Sequence, residues 1–285
     1  MKKIYDGFTF FNELDLLELR LEELYDYVDY FILVESDRTF TNIPKPYHFE
    51  ENKHRYSKFL DKIRHIKIES NKYDDPWANE HHQRNCIMQG CMDASPDDVI
   101  VISDVDELPR VSALANMRQS YRDIYAIYTP FFYFKFNFVS TRSDCYIPTI
   151  IAAKMSTLAE LGPQTLRDTR GHFMAAPYQF EEYDCEVIEH GGWHFSYLGD
   201  NAFVKQKLRS FSHASDHTEA SIEEYDMVGE LTAKDTDRYF VVVDEYFPKA
   251  LYTNVGKYEK YIATADTTML ECFPTRSCEL YPNTD

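Results

Sequence analysis

The chain has 285 residues, with 48 acidic against 30 basic side chains, a formal net charge of −18 and a pI near 4.9. Nucleic-acid-binding proteins carry clustered Lys and Arg that displace counterions from phosphates, so this charge argues against a nucleic-acid partner. Hydrophobic residues make up 44% of the sequence, which is enough for the core of one large α/β domain or two small ones.

The apolar segments and the cysteines indicate a soluble, reduced protein. No apolar run approaches the roughly 18 residues of a membrane-spanning helix, and the N-terminus lacks the basic-then-apolar order of a signal peptide. The six cysteines include no C-x-x-C pair and no zinc spacing. We therefore expect a cytoplasmic protein with reduced thiols, in which Cys272 and Cys278 would close a loop only in an oxidising compartment.

The N-terminal part of the chain alternates between strand and helix patterns, as parallel sheets do. Its predicted strands are residues 3–11, 30–34, 63–68 and 99–102. Leucines at helical spacing predict a helix that begins after Asn12 as N-cap, and the pair Asp75 and Pro76 predicts another over 76–92. Polar residues that follow the first two strands should share one edge of the sheet: Asn12, Glu13, Glu35 and Ser36.

The segment 97–110, DDVIVISDVDELPR, combines a buried strand with an acidic turn. Its apolar run 99–102 has the length and β-branched content of a fully buried strand. Ligands of open α/β sheets bind beyond the carboxyl ends of the strands, and Asp104 and Asp106 are two residues apart, so both can face one hard cation. The alternative is a solvated acidic turn that Pro109 ends.

Beyond residue 110 the sequence is rich in strand patterns separated by short turns. This favours an antiparallel extension beside the parallel sheet. The predicted strands are 124–129, 131–138, 146–154 and 186–190, and the predicted helices are 201–211, 221–231 and one after Asn254. Residues 264–285 show no periodicity, so we expect one domain over residues 1–263 and an irregular C-terminal tail.

The predicted strand 186–190 leads into a second segment with candidate binding residues. Gly191 and Gly192 allow close backbone approach and precede Trp193 and His194. His194 is either a third ligand of the cation or a hydrogen-bonded structural histidine. Trp193 either stacks on a sugar or base or packs in the core.

Basic residues on the predicted helix 201–211 form a third candidate group. Lys205, Lys207 and Arg209 lie on this helix, and His213 follows it. In so acidic a protein, basic residues near a metal site suit a diphosphate clamp. The alternative is an ordinary solvated helix face.

Six segments occur in order between Lys3 and about Ile262: YDGFTFFNELDLLELRLEEL, VDYFILVESDRTFTNIPKP, DPWANEHHQR, DDVIVISDVDELPR, GGWHFSYLG with KLRSFSH, and YFPKALYTNVGKYEKYI. Together they resemble glycosyltransferase family 17, which includes the mannosyl-glycoprotein N-acetylglucosaminyltransferases. The resemblance implies an α/β fold of the GT-A, Rossmann-like type, with a parallel nucleotide-binding half and an antiparallel extension. It also implies an inverting enzyme.

The same resemblance implies a nucleotide-sugar donor, in the first place UDP-GlcNAc, a glycan hydroxyl as acceptor, and Mn²⁺ or Mg²⁺ as cofactor. Asp104 and Asp106 match the family's D-x-D, Glu107 the acid after it and His194 the histidine of the G-W-H motif, so the implied metal ligands are Asp104, Asp106 and His194. The expected donor-binding residues are Asn12, Glu13, Glu35, Arg84, Asp104, Trp193, Lys205 and Lys207. For Glu35 and Arg84 a structural salt bridge is the alternative.

The acceptor hydroxyl would need a general base, for which a carboxylate is the usual choice. The available side chains are Glu107, Glu181, Glu182 and Asp184. Of these, we predict Glu107 and Glu182 as the catalytic residues. With neither anchor nor signal in this sequence, we expect a free-standing enzyme that builds a lipid-linked, capsular or virion glycan.

Two other classes of function fit parts of the sequence. A metal-dependent hydrolase would use the same carboxylates and release free sugar or phosphate without an acceptor. A non-catalytic sugar-binding module would stack Trp77, Trp193 and tyrosines on glycan, and it would leave Asp104 and Asp106 without a role.

Overall fold

The computed structural model describes residues 2–70, 72–175, 182–227, 231 and 237–263. The predicted tail, with Cys272 and Cys278, lies outside the described residues, as does the candidate base Glu181. The boundary at residue 263 therefore stays a prediction.

The strands of the described residues belong to one mixed sheet. They are β1 Ile4–Thr9, β2 Tyr30–Ser36, β3 Ile63–Ile68, β4 Val99–Asp104, β5 Glu107–Pro109, β6 Ile124–Tyr133, β7 Phe138–Ser140, β8 Tyr146–Lys154, β9 Cys185–Ile188, β10 Gly192–Ser196 and β11 Arg238–Phe240. The order along the sheet is β11-β7-β6-β8-β4-β1-β2-β3, with β9 and β10 beside β6 and β5 beside β10.

The strand order confirms the predicted fold class. β3, β2, β1 and β4 are neighbours and all parallel, which is the order of half a Rossmann sheet. β8 runs antiparallel to both β4 and β6, so the antiparallel extension begins directly beside the acidic strand. The carboxyl ends of β1, β2 and β4 consequently meet at one edge.

Short helices connect the strands. They are α1 Leu14–Leu24, α2 His48–Asn52, α3 Pro76–Asn85, α4 Val111–Gln119, α5 Met155–Leu161, α6 Pro163–Asp168, α7 Arg170–Ala175, α8 Asn201–Ser210, α9 Glu219–Glu224 and α10 Lys249–Tyr252. The 3₁₀ helices in the described ranges are Lys53–Phe59, Cys86–Gly90, Ser143–Cys145, Ser212–Asp216 and Val255–Tyr261.

Two local predictions at helix ends have opposite outcomes. Asp75 caps α3 as predicted, since its carboxylate accepts a hydrogen bond from the backbone N–H of Trp77 at 3.1 Å. The prediction that Asn12 caps α1 is wrong, because Glu13 occupies the N-cap position and Asn12 instead donates a hydrogen bond to Gln206. The helix predicted over 76–92 is also shorter, because it tightens into the 3₁₀ helix Cys86–Gly90.

Alternate residues of the central strands pack on opposite faces of the sheet. On one face Ile4 and Val101 join a cluster that includes Leu17 of α1. On the other face Tyr5 and Ile102 join a cluster that includes residues of α5 and α6. Residues 99–102 are fully buried, which confirms the reading of this run as a central strand. Because β4 is packed on both faces, the position of its end is fixed, and the acidic turn begins there.

β10 was not predicted as a strand, yet it completes the edge next to the acidic turn. It pairs antiparallel with β5 and places His194 opposite Glu107. The glycine pair permits this pairing, because a Cβ on Gly192 would lie 2.5 Å from the carbonyl oxygen of Leu108 and one on Gly191 would lie 2.5 Å from Ile127.

Candidate active site

A cavity of about 340 Å³ opens at the carboxyl ends of β1 and β4, beside β10 and α8. Its size is typical of small-molecule sites. Among the described residues, its basic lining side chains are Arg38, Lys45, Arg84, Arg167, Arg170 and Lys207. The acidic ones are Glu13, Glu80, Asp104, Asp106 and Glu107. A cavity with this many cations in a protein of charge −18 suits an anionic ligand.

Asp104 is the first of the three predicted metal ligands, and two arginines surround its carboxylate. Arg84 Nη2 lies 3.1 Å from its Oδ1, and Arg167 Nη2 lies 3.5 Å from its Oδ2. Thr9 Oγ1 also donates to Oδ1 at 2.8 Å. Burial by itself would raise the pKa of Asp104, but Arg84 and Arg167 lower it well below its ordinary range. Asp104 is therefore ionised at neutral pH.

Asp106 faces a different partner from that of Asp104. Lys207 Nζ donates to its Oδ2 at 2.8 Å, and His194 Nε2 lies 3.8 Å from the same oxygen. Burial would raise the pKa of Asp106, but Lys207 and His194 lower it on balance. The same Lys207 ammonium lies 3.8 Å from Glu13, and attraction to the carboxylates raises the pKa of Lys207 against the effect of burial.

Glu107 is buried at the start of β5 and lines the cavity. Its Oε1 accepts a 2.6 Å hydrogen bond from Arg167, and its Oε2 accepts the backbone N–H of Asp104 at 2.8 Å. Burial raises the pKa of Glu107, and the attraction of Arg167 only partly opposes this. A buried carboxyl with a raised pKa in a cavity is typical of a proton acceptor in catalysis.

A fully buried arginine holds the acidic turn from the core side. Arg20 of α1 forms a bidentate pair with Asp6 at 2.6 and 2.8 Å. Its Nη1 donates to the carbonyls of Asp104, Val105 and Glu107, and its Nη2 donates to Ser103 Oγ. Arg20 therefore fixes the backbone of the turn that carries the carboxylates, although none of its own atoms reaches the cavity.

The structure brings together only some of the predicted donor-binding residues. Glu13, Arg84, Asp104 and Lys207 line the cavity, in company with Asp106 and His194. Asn12, Glu35, Trp193 and Lys205 do not line it. Glu182 is an exposed turn residue that also lies outside the cavity lining, so of the two candidate bases only Glu107 is at the site.

Each predicted donor-binding residue outside the cavity has a local reason for its position. Glu35 is fully buried, accepts the backbone N–H of Phe49 at 3.1 Å and lies 3.7 Å from Lys45 Nζ, which is the salt-bridge alternative. Trp193 is buried, and the Arg110 guanidinium lies 4.1 Å from its ring centroid, so it packs in the core. Lys205 turns away and pairs with Glu223.

The three proposed metal ligands form an incomplete site. No group of three or more His, Cys, Asp or Glu side chains within the described residues has the spacing to hold a metal ion. His194 Nε2 lies 3.8 Å from Asp106 Oδ2, so a cation held by these two donors would displace the Lys207 ammonium from Asp106, whereas Asp104 is engaged by Thr9 and two arginines. Magnesium-type sites commonly have one or two protein ligands and complete their shell with water and substrate phosphates, so the residues fit such a cation.

Sequence reasoning missed four cations of the cavity, which are Arg38, Lys45, Arg167 and Arg170. Arg167 and Arg170 occur in the segment LRDTRGH, which has no strand or motif beside it that would mark it. Arg167 belongs to α6 and Arg170 begins α7, so no spacing along a single helix would have placed both on one face. Only the packing of these helices beside β8 places them at the site.

Sequence comparison assigns the chain to a family. The model of glycosyltransferase family 17 matches residues 1–143, which include β1 to β6 and the acidic turn. The chain belongs to glycosyltransferase family 17. The resemblance noted beyond residue 143, which includes His194 and Lys207, lies outside this match and stays a prediction.

Curated relatives of this family 17 chain match it over a limited region. The β-1,4-mannosyl-glycoprotein 4-β-N-acetylglucosaminyltransferases of Rattus norvegicus and Homo sapiens are each 27% identical to it over 117 residues. The match covers 38% of this chain and 22% of each relative, so it spans only about a fifth of their length.

Solved structures resemble the chain only distantly. A 4-diphosphocytidyl-2C-methyl-D-erythritol synthase aligns with 66% of this chain and 90% of its own, with 12% identity and a TM-score of 0.36. The inositol-1-phosphate CTP transferase from T. maritima aligns with 78% and 94%, with 10% identity and the same TM-score. The fold assignment therefore rests on the strand order described above.

The helices in the described part of the chain are all too short or too polar to cross a membrane.

Proposed function

We propose that this family 17 protein is an inverting, metal-dependent glycosyltransferase with a GT-A-type fold, which moves N-acetylglucosamine from UDP-GlcNAc to a glycan hydroxyl. One observation carries the proposal. The acidic turn of β4 meets Lys207 and His194 at a cavity on the carboxyl edge of the parallel strands. The names of the curated relatives support the sugar and the transfer reaction.

The nucleotide part of the donor fits the wall built by the N-terminal half. Nucleotides bind beyond the carboxyl ends of parallel strands, where β1 and its following loop supply Phe10, Phe11 and Glu13. Phe40 and Trp77 add aromatic surface to the same cavity, and Trp77 is 38% exposed. These flat side chains suit a base and ribose, while Lys207 suits the diphosphate.

Asp106 and His194 would hold the divalent cation, which neutralises charge on the diphosphate leaving group when it is bound. Lys207 Nζ donates a hydrogen bond of 2.8 Å to the Asp106 carboxylate. Its ammonium is therefore already placed next to the carboxylate where the leaving phosphate would lie. Lys207 supplies a second positive charge to the same oxygens.

Glu107 is the proposed general base of the transfer. It takes the proton of the acceptor hydroxyl, whose oxygen then bonds to the anomeric carbon of the sugar. The bond from that carbon to the diphosphate oxygen breaks, and UDP leaves with its electron pair. Attack from the side opposite the leaving group inverts the anomeric configuration. A base with a pKa raised by burial accepts this proton more readily than an ordinary glutamate.

The decisive experiment is a calorimetric panel of UDP- and GDP-sugars with the purified protein, with and without Mn²⁺. We expect a UDP-sugar to bind more tightly in the presence of Mn²⁺, and Asp106→Asn to remove that dependence. Asp144→Asn, at an exposed ion pair outside the cavity lining, is the matched control. The transferase proposal fails if no nucleotide binds in a metal-dependent way, and sugar release without acceptor would favour a hydrolase instead.

A further inference from the structure

The wall of the cavity formed by α6 and α7 contains an arginine with unused hydrogen-bond donors. The Arg167 side chain is 2% exposed, and only its Nη2 has partners, in Glu107 and Asp104. Its Nε and Nη1 are buried, and no described residue offers them a hydrogen-bond partner. Unsatisfied N–H groups of a buried guanidinium are costly, so they indicate a ligand.

Arg170 adds a second cation to the same wall. It is half-buried, it lines the cavity, and within the described part of the chain no hydrogen bond or ion pair engages its guanidinium. Repulsion from Arg167, with burial, lowers the pKa of Arg170 from its ordinary value. Glu107 and Asp104 attract both guanidiniums, but they do not fully offset this repulsion. A bound anion would remove this repulsion and satisfy the free donors.

Arg167 contacts Asp104 at Oδ2, whereas Thr9 of β1 contacts the same carboxylate at Oδ1. Arg167 and Arg170 follow the antiparallel extension, and the neighbouring lining residues Ile147 and Thr149 belong to β8. Glu107, the proposed base, contacts Arg167 at 2.6 Å. A group bound by the arginines would therefore lie beside the base, where the acceptor must approach, and across the acidic turn from β1.

We propose that Arg167 and Arg170 bind an anionic oxygen group, a carboxylate or a phosphate, carried by the acceptor glycan. The planar guanidinium fork matches both groups in a bidentate manner. This inference rests on the proposed function, because it names the acceptor class of the same site. The acceptor is then an acidic glycan or a sugar phosphate, and Arg167 and Arg170 select it against neutral sugars.

The test measures binding of inorganic phosphate, glucose 6-phosphate and glucose to the full chain by calorimetry, each with and without saturating UDP and Mn²⁺. We expect the two anions to bind, glucose to bind far more weakly, and UDP to leave anion binding intact. Arg170→Gln should weaken anion binding about tenfold to a hundredfold, because a hydrogen bond to a charged group is lost. Arg170→Lys should restore part of it.

Arg142→Gln is the control, because Arg142 forms an exposed ion pair with Asp144 outside the cavity lining. It should leave anion binding unchanged. Displacement of phosphate by UDP would assign the arginines to the donor and overturn the acceptor proposal. Equal anion binding by the wild-type protein and Arg170→Gln would overturn the site itself. Anion binding without any UDP binding would support the site but refute the proposed function.

Discussion

Buried arginines lie on both sides of the acidic turn, and their hydrogen bonding differs. On the core side, every guanidinium nitrogen of Arg20 donates to a protein oxygen, among them those of Asp6 and the turn carbonyls. On the cavity side, two guanidinium nitrogens of Arg167 have no hydrogen-bond partner among the described residues. Those residues offer no hydrogen-bond or ion-pair partner to the Arg170 guanidinium either. Both Arg20 and Arg167 are 2% exposed or less, so burial does not explain the difference.

The difference separates a structural role from a binding role. A guanidinium whose donors are all satisfied by the protein has no capacity left for a ligand, so it stabilises the backbone that it contacts. Arg167, which lines the cavity, keeps two donors that the described protein groups leave unsatisfied, so it still has that capacity. Arg20 therefore holds the backbone of the acidic turn from the core side, while donors on the cavity side stay available to a ligand. Precise placement of catalytic groups requires a supporting layer of this kind.

Replacement of the core-side arginine tests the structural half of this comparison and should have the largest effect. Arg20→Met leaves Asp6 as an uncompensated buried charge and frees the turn carbonyls, so we expect a loss of about 3–5 kcal/mol in the free energy of unfolding. Urea denaturation measures it. Arg142→Met, which breaks only an exposed ion pair with Asp144, is the control and should change the free energy of unfolding little. Equal losses in the two variants would refute the structural role of Arg20.

Replacement of Glu107 tests the cavity side. Glu107→Gln keeps the size of the side chain and its acceptor for the Asp104 N–H, but it cannot take a proton. We expect kcat for transfer to fall by about 10²–10⁴-fold, as for other general bases. Glu182→Gln, in an exposed turn outside the cavity, should change kcat little. A large loss in Glu182→Gln with an active Glu107→Gln would exchange their roles.

The pH dependence of transfer gives an independent test of the same residue. Glu107 works as a base only when it is deprotonated, and burial raises its pKa above the ordinary 4.5. The rate should therefore fall as the pH is lowered through that raised value, about tenfold per pH unit, and the loss should begin above pH 4.5. A pH profile of kcat measures it. An acid limb below 4.5 would contradict the assignment.

Lys205 and Lys207 of α8 give the test with the smallest expected effect. They differ mainly in the direction in which their side chains point. Lys207→Met leaves Asp106 without its 2.8 Å partner, so we expect a loss of about 1–3 kcal/mol in unfolding free energy at neutral pH. Because the folded pKa of Asp106 is lowered, this contribution is present above its ordinary 3.8 and is lost as the pH falls toward the folded value. Lys205→Met, at a more exposed pair, should cost less than about 1 kcal/mol. Similar thermal shifts in both variants would refute the distinction.

The sequence predicted the parts of the fold that depend on short-range patterns. The buried run 99–102, the cap at Asp75 and the strand Ile63–Ile68 all follow from residue spacing and local hydrogen bonding. The cap at Asn12 was wrong because Glu13 occupies the capping position, and Asn12 instead contacts Gln206 of α8. That contact depends on packing, which no local pattern records.

What the sequence determined by itself is the acidic turn at the carboxyl end of a buried parallel strand, since burial of 99–102 and the position of Asp104 and Asp106 follow from the local run of residues. The tertiary structure alone decided which charged groups surround it. Arg20, Arg167 and His194 reach the turn through two helices and a strand that pack or pair over long separations in the chain. Such pairings are set by the whole core and not by neighbouring residues, and the proposed anion site is their product.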